Sequence, residues 1–333
     1  LYAFYAINVI FIIYIIWAKF NFLRIDITGH IASWSLFGKW YFHQFFDWAF
    51  GWYISNLFYP PWEDLVVTIC SGFWLIDYIL GFKIYLTFIS IWFAWSIIYF
   101  SSIFRNISSK IIFLTLMFIV INIEKTGLTY FQGMGWMDML VTWLTSQILW
   151  WIFFFVLLKK IFDWKKTHWI AILLALTLCS HMVVWPVAFF TVLIIALYKR
   201  DQNLIKQLFI AILLTSFFLL PLIVFKWYMV SDTIFFSWEK LNSFLWIILT
   251  LTTIVSFTKS EKNIFWLFWI IALFLIFPSY FAEIILSNFP WVDILNIKLL
   301  PSYHYYRLHI FSLIYMVLMV SGLWEYDQKK MRF

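Results

Sequence analysis

Asp26 and His30 stand four residues apart in a chain of 333 residues of which only 12% are charged. On a helix this spacing sets two side chains one turn apart on the same face. A carboxylate and an imidazole so placed could share one site, or supply two ligands to a divalent cation. No third ligand follows from the spacing, so a metal site here rests on Asp26 and His30 alone. Mg²⁺ or Mn²⁺ is the candidate ion, and no other cofactor is implied. Both residues also have plainer uses. Asp26 could cap the helical run that follows it, accepting N–H bonds, and His30 could serve a single structural hydrogen bond. The pair opens a polar, aromatic-rich stretch, residues 26–64, that adds His43, Gly29, Gly38, Gly51 and the corner Tyr59-Pro60-Pro61. Consecutive prolines restrict both their own φ and the residue before them, so this corner reads as an extended turn that aims the next helix. Glu63 and Asp64 follow it, either as caps of that helix, facing solvent, or as members of the same site.

The elements that must hold these residues are hydrophobic. Apolar side chains make up 65% of the chain and aromatics 25%, with 41 Phe and 23 Trp. A soluble domain carries about a quarter of its residues as charges, so this composition belongs to a polytopic helical membrane protein. The net charge of +7 is accounted for by loop lysines and arginines, and no basic stripe interleaved with aromatics points to nucleic acid. Cys70 and Cys179 lie in apolar surroundings and support neither a disulfide framework nor a cysteine metal site.

Apolar runs long enough for most or all of a membrane crossing fall near 1–18, 84–102, 110–123, 138–158, 168–182, 184–198, 206–229, 243–258, 264–285 and 306–325. The first reads as a membrane anchor, since no small-residue cleavage site follows it. Five basic clusters separate the runs: Arg105/Lys110, Lys159/Lys160/Lys165/Lys166, Lys199/Arg200/Lys206, Lys259/Lys262 and Lys329/Lys330/Arg332. Placing all five on the cytoplasmic side obeys the positive-inside rule. It also puts both termini inside and requires an even number of spans, for which ten fits. Residues 19–83 then form the first extracytoplasmic loop within a single transmembrane domain, 1–333, without a separate soluble domain. Residues 64–82 tempt a further span, but that would bury Asp77 in lipid and reverse the tetralysine cluster, so they read as an interfacial or re-entrant helix. Residues 168–198 must go in and come back, with the turn near His181 and Pro186. Asn106-Ile107-Ser108 fits a glycosylation sequon, but on the cytoplasmic side.

Asp26-Ile27-Thr28-Gly29-His30, then Trp48-x-x-Gly51, then Phe58-Tyr59-Pro60-Pro61 resemble the first extracytoplasmic loop of the GT-C membrane glycosyltransferases. The likeness is to the bacterial integral-membrane group labelled 6-pyruvoyl-tetrahydropterin-synthase-related, a label that implies no pterin chemistry. Ser180-His181 matches that group's histidine at the outer end of a helix hairpin, and Tyr305-Tyr306-Arg307 matches an arginine that opens a late span. This chain departs from the pattern at Gly51-Trp52-Tyr53, which lacks the proline after the glycine, and at Trp62, where the group has leucine.

The resemblance implies an all-α GT-C-like fold with interfacial helices in the first loop, in a bacterial inner (plasma) membrane and acting on the cell envelope. It implies transfer of a sugar from a polyprenyl-phosphate-linked donor to an acceptor on the extracytoplasmic face. Such transfer needs a base for the acceptor proton and positive charge near the departing phosphate. Asp26 is then the base or metal ligand and His30 its partner. His181 and Arg307 are the donor-phosphate candidates, with Tyr59 and Asp64 lining the substrate site. The bland alternatives are an interfacial histidine and an arginine that snorkels to headgroups. The bilayer and the lipid donor are the partners implied; no protein partner is. Two other classes compete. A transporter or flippase needs polar groups or broken helices in mid-membrane, with Pro221, Lys226 and Pro278 the nearest candidates. A non-catalytic subunit of a larger membrane complex would account for the aromatics but not for Asp26-x-x-x-His30 beside Tyr-Pro-Pro. Glycine-lysine phosphate loops, G-x-S-x-G elbows and H-E-x-x-H are absent from the sequence.

Overall fold

An apolar chain has to satisfy its backbone N–H and C=O groups internally, and a helix does this within one segment. The computed structural model describes residues 1–18, 45–46, 53–54, 62–72, 75–122, 145–163, 169–180, 185–225, 267–272 and 308–326, and these are helical almost throughout. In chain order the helices are α1 (Tyr2–Ala18), α2 (Trp62–Cys70), α3 (Tyr78–Ser101), α4 (Ile107–Asn122), α5 (Thr145–Phe162), α6 (Trp169–Leu178), α7 (Trp185–Lys199), α8 (Gln202–Phe225) and α9 (Leu308–Tyr326). Residues 267–272 are helical as well. The exception is a two-stranded antiparallel ladder between α1 and α2. In it β1 (Phe45–Phe46) pairs with β2 (Tyr53–Ile54), Phe45 opposite Ile54 and Phe46 opposite Tyr53.

The helix ends have identifiable causes. Asp77 caps α3, its Oδ2 accepting from the Ile79 and Leu80 amides at 3.0 and 3.4 Å, which satisfies donors the helix itself cannot. This cap sets the start of α3 six residues before the expected 84. It also resolves the segment 64–82, which is not one helix. Its first part belongs to α2, whose 9 residues rise about 13 Å, under half of the hydrocarbon thickness. The chain turns at Gly72, whose φ of +60° is the left-handed conformation that ends helices and favours glycine. Asp77 is exposed at the start of α3 rather than buried in mid-helix.

The joint between α7 and α8 is equally short. Arg200 takes a left-handed φ of 52°, and the Asp201 amide bonds back to the Ala196 carbonyl at 2.9 Å. The Asp201 carboxylate then accepts from the Asn203 and Leu204 amides at 2.9 and 3.3 Å, so one residue closes α7 and the next starts α8. At α4 the Asn106 side chain does the same work, accepting from the Ser108 amide at 2.9 Å. The sequon asparagine is thus used as a helix cap.

The chain divides into two compact units, Leu1–Ile103 with Met139–Tyr228, and Phe104–Asp138 with Met229–Phe333. In the first unit α5 is the central helix. From Ile148 to Phe162 almost every side chain is buried, whichever way it points. It packs on α3, α6 and α2, while α1 lies on α3 and α8 on both α6 and α7. The core is aromatic. Trp150 stacks on Phe154 at 4.5 Å, Trp151 on Phe155 at 5.5 Å, and Phe100 of α3 meets Phe155 at 5.6 Å and Phe162 at 6.4 Å. In the second unit α4 packs on α9. Seven consecutive residues of α9, Leu313–Met319, are buried, and Phe268 stacks on Tyr315 at 5.7 Å.

This packing predicts a ranking of stability effects. Phe100→Ala removes a fully buried ring and should cost about 3 kcal/mol. Asp201→Ala should cost about 1 kcal/mol through the lost cap, and Phe88→Ala, on the outer face of α3, should cost much less. Thermal unfolding midpoints in detergent would check the order. Equal stability of Phe100→Ala and the parent would contradict the α3–α5 interface.

Candidate functional site

Asp26, His30, Tyr59, His181 and Arg307 lie outside the described residues, as does the side chain of Asp64, the third residue of α2. The helices that carry them are described. In the first unit, which holds all of these residues except Arg307, the helix directions fix the end of the bundle from which each segment leaves.

The C-terminal ends of α3, α5 and α7 coincide. Tyr99, near the end of α3, has the Lys159 ammonium of α5 5.8 Å from its ring centroid. Phe162, the last residue of α5, meets Phe100 of α3 and has the Lys199 ammonium of α7 5.6 Å from its own ring. Helices α3 and α5 therefore run parallel, and α7 ends beside them. Lys159 also forms an ion pair with Asp163 one turn on. Lys159, Lys160, Lys199, Arg200 and, in the second turn of α8, Lys206 thus gather at one end of the unit. Helix α6 starts only six residues after Asp163 and packs on α7. It leaves this basic end and α7 returns to it. The C-terminal end of α6 and the start of α7 are accordingly at the far end.

The first loop leaves at that far end as well. The Trp17 indole N–H, at the end of α1, donates to the Thr87 hydroxyl of α3 at 3.1 Å. The Lys83 ammonium lies 5.7 Å from the Trp17 ring centroid. Helix α1 therefore runs antiparallel to α3 and ends beside its N-terminal third. The end of α1 (Ala18), which precedes Asp26, His30 and Tyr59 in the chain, the start of α3 (Asp77), and the end of α6 and start of α7, which flank His181 in the chain, share one end of the unit. Arg307 immediately precedes α9 in the second unit.

Two features of this region escaped the sequence reading. The β1–β2 ladder sits between the Asp26 motif and Tyr59; its signals are the aromatic pair Phe45-Phe46 and Tyr53-Ile54, flanking a segment that contains Gly51. Lys83 is the one charged residue of α3, about a turn and a half inside it, with its ammonium 5.7 Å from the Trp17 ring centroid, a contact that only tertiary packing provides. Its neighbour Thr87 donates back to the Lys83 carbonyl at 2.8 Å. Among the described residues no group of three His, Cys, Asp or Glu side chains is placed to hold a metal ion. A comparison with family models, curated proteins and solved structures finds no match to the chain.

The parallel arrangement of α3 and α5 can be tested with paired cysteines in a Cys70→Ser/Cys179→Ser background, both native cysteines being free. Tyr99→Cys with Lys159→Cys should crosslink under mild oxidation, whereas Tyr99→Cys with Gln147→Cys should not. The reverse pattern would mean that the two helices run antiparallel.

Proposed function

We propose that this chain is a polytopic membrane protein of GT-C type, with about ten spans, that transfers a sugar from a polyprenyl-phosphate-linked donor on its extracytoplasmic face. The observation that carries the reading is the segregation in the first unit, with basic helix ends at one end and the roots of both motif-bearing segments at the other. A bilayer with positive charge retained on the cytoplasmic side asks for this arrangement.

The helix surfaces agree with a lipid environment. One helix among the described residues, Ile79–Ser101, is long and apolar enough to cross a membrane. Its 23 residues rise about 34 Å, against a hydrocarbon core of about 30 Å. Helix α8 has 24 residues, with Lys206 near its start and an apolar sequence beyond it. Phe4, Ile7, Phe11 and Tyr14 of α1, Phe88, Trp92 and Trp95 of α3, and Phe209, Leu213 and Leu220 of α8 all face outward. Exposed apolar area on this scale marks a membrane or interaction surface. Charges on the described helices lie toward their ends, and the hydroxyls of Ser90, Thr177, Thr191, Thr215 and Ser321 are donated to carbonyls four residues back. These helices offer no polar path through mid-membrane, which favours surface chemistry over transport.

In the proposed reaction an acceptor hydroxyl attacks the anomeric carbon of the donor sugar. The bond from that carbon to the phosphate oxygen breaks, and polyprenyl phosphate leaves with the electron pair. Asp26 takes the acceptor proton, with His30 as its proposed partner; the same two residues would be the ligands of a divalent cation, which would supply positive charge to the donor phosphate. His181 and Arg307 are the residues that the motif resemblance offers for neutralising the departing phosphate, and Tyr59 and Asp64 those it offers for binding the substrate. Both termini lie in the cytoplasm and the motif loop faces the cell envelope.

Sugar transfer from radiolabelled polyprenyl-phosphate donors, assayed in membranes with Mg²⁺ or Mn²⁺, tests this. Asp26→Asn should lose about a hundredfold or more of the wild-type rate, the scale of a general base. Full activity in a folded Asp26→Asn protein would remove Asp26 from the mechanism. Absence of transfer by the wild type across several donors would overturn the enzymatic reading.

A further inference from the structure

We propose that the α7–α8 joint binds the headgroup of an anionic phospholipid through Arg200 and Lys206, with an acyl chain lying along the outward face of α8. This rests on the reading above that the first unit sits in a bilayer. It adds a lipid of defined charge at the end opposite the proposed sugar transfer.

Helix α7 ends at Lys199 and α8 begins at Gln202. The left-handed Arg200 and the Asp201 cap make the whole reversal, and Arg200 is left exposed. Lys206 is the only charged residue of α8, and it too is exposed. Its place on the helix surface is decisive. Leu204, Leu208, Ala211 and Thr215 are buried and mark the packed side of α8. Phe209, Ile210 and Leu213, three, four and seven residues beyond Lys206, are 66%, 39% and 71% exposed. That spacing sets them on the face that carries Lys206. Gln202, also exposed, is one turn before it.

One face of α8 therefore has a cationic head and an apolar body, the pattern complementary to an amphiphile with an anionic head. Helical side chains lean toward the N-terminus, so the Lys206 stem reaches back toward the joint and Arg200. From Lys206 to Leu213 the helix rises about 10 Å, two-thirds of one leaflet's hydrocarbon depth of about 15 Å. Arginine offers a planar set of donors to a phosphate and lysine a point charge. The neighbouring cations are engaged elsewhere: the Lys199 ammonium lies over the Phe162 ring, and Lys159 is paired with Asp163. The Asp201 carboxylate is committed to the first-turn amides of α8. A zwitterionic headgroup brings its own cation beside the phosphate, which Arg200 and Lys206 repel, so the surface discriminates by charge.

The experiment is native mass spectrometry of the full chain, purified in detergent and titrated with dioleoyl-phosphatidylglycerol or dioleoyl-phosphatidylcholine. The wild type should bind its first phosphatidylglycerol about tenfold more tightly than phosphatidylcholine. Lys206→Gln and Arg200→Asn should each weaken phosphatidylglycerol about fivefold, and the pair together about twentyfold. Asparagine suits the left-handed φ at position 200, so the joint is kept. Lys206→Arg should stay within about twofold of wild type, as should Lys160→Gln, which removes a cation of the same end carried by α5. Unchanged affinity in the Arg200→Asn/Lys206→Gln protein would overturn the assignment. An equal loss in Lys160→Gln would overturn it too, by making the attraction one of bulk charge. Displacement by millimolar glycerol 3-phosphate would show that no acyl chain is required, with the same consequence. Equal wild-type affinity for the two lipids would overturn this inference alone. Binding of neither lipid would take down the bilayer reading with it, whereas Asp26-dependent transfer is read in a separate assay.

Discussion

The seating of Phe100 against Phe155 and Phe162 orders the first unit. It makes α3 and α5 run parallel, a relation no short loop between neighbours would impose, because the chain leaves after α3 and returns as α5. Once these two helices are parallel, much of the rest follows. Helix α7 ends against Phe162, α6 must depart from the same end, and α1, antiparallel to α3, must finish at the other. The energetic weight lies in aromatic packing. Trp150, Trp151, Phe154 and Phe155 occupy successive faces of α5 and are all buried, so the central helix needs no polar group to hold it.

The caps are the second constraint. Helices of such uniform apolarity have no hydrophobic face to fix where they start, and the boundaries pass to single polar residues. Asp77, Asn106 and Asp201 each accept from backbone amides just inside α3, α4 and α8. Two of the three had been open to other readings, Asp77 as a charge to be kept out of lipid and Asn106 as a sequon. Their common role is to satisfy donors that an apolar surrounding would leave stranded.

Much of the helical layout was legible in the sequence. The runs expected at 1–18, 184–198 and 206–229 are α1, α7 and α8 within a few residues, because apolar stretches bounded by charges are a local signal. The start of α3 was less legible, since residues 64–82 look continuous by hydropathy. Only the Gly72 turn and the Asp77 cap divide them. The parallel α3–α5 packing, the β1–β2 ladder and the contact of Lys83 with Trp17 were not legible, as each depends on residues far apart in the chain. For the candidate site, Asp26, His30, Tyr59, Asp64, His181 and Arg307 come from motif and charge pattern. What the structure adds is the common end at which α1 and α6 finish and α3 and α7 begin.

That two-ended arrangement is the central claim, and side-specific cysteine labelling tests it most directly. Single cysteines would be placed at His30, at His181 and at Lys206 in the Cys70→Ser/Cys179→Ser background, and intact cells treated with a membrane-impermeant maleimide. Positions 30 and 181 should label in intact cells, and position 206 only after permeabilisation. Labelling of all three positions from the same side would contradict it.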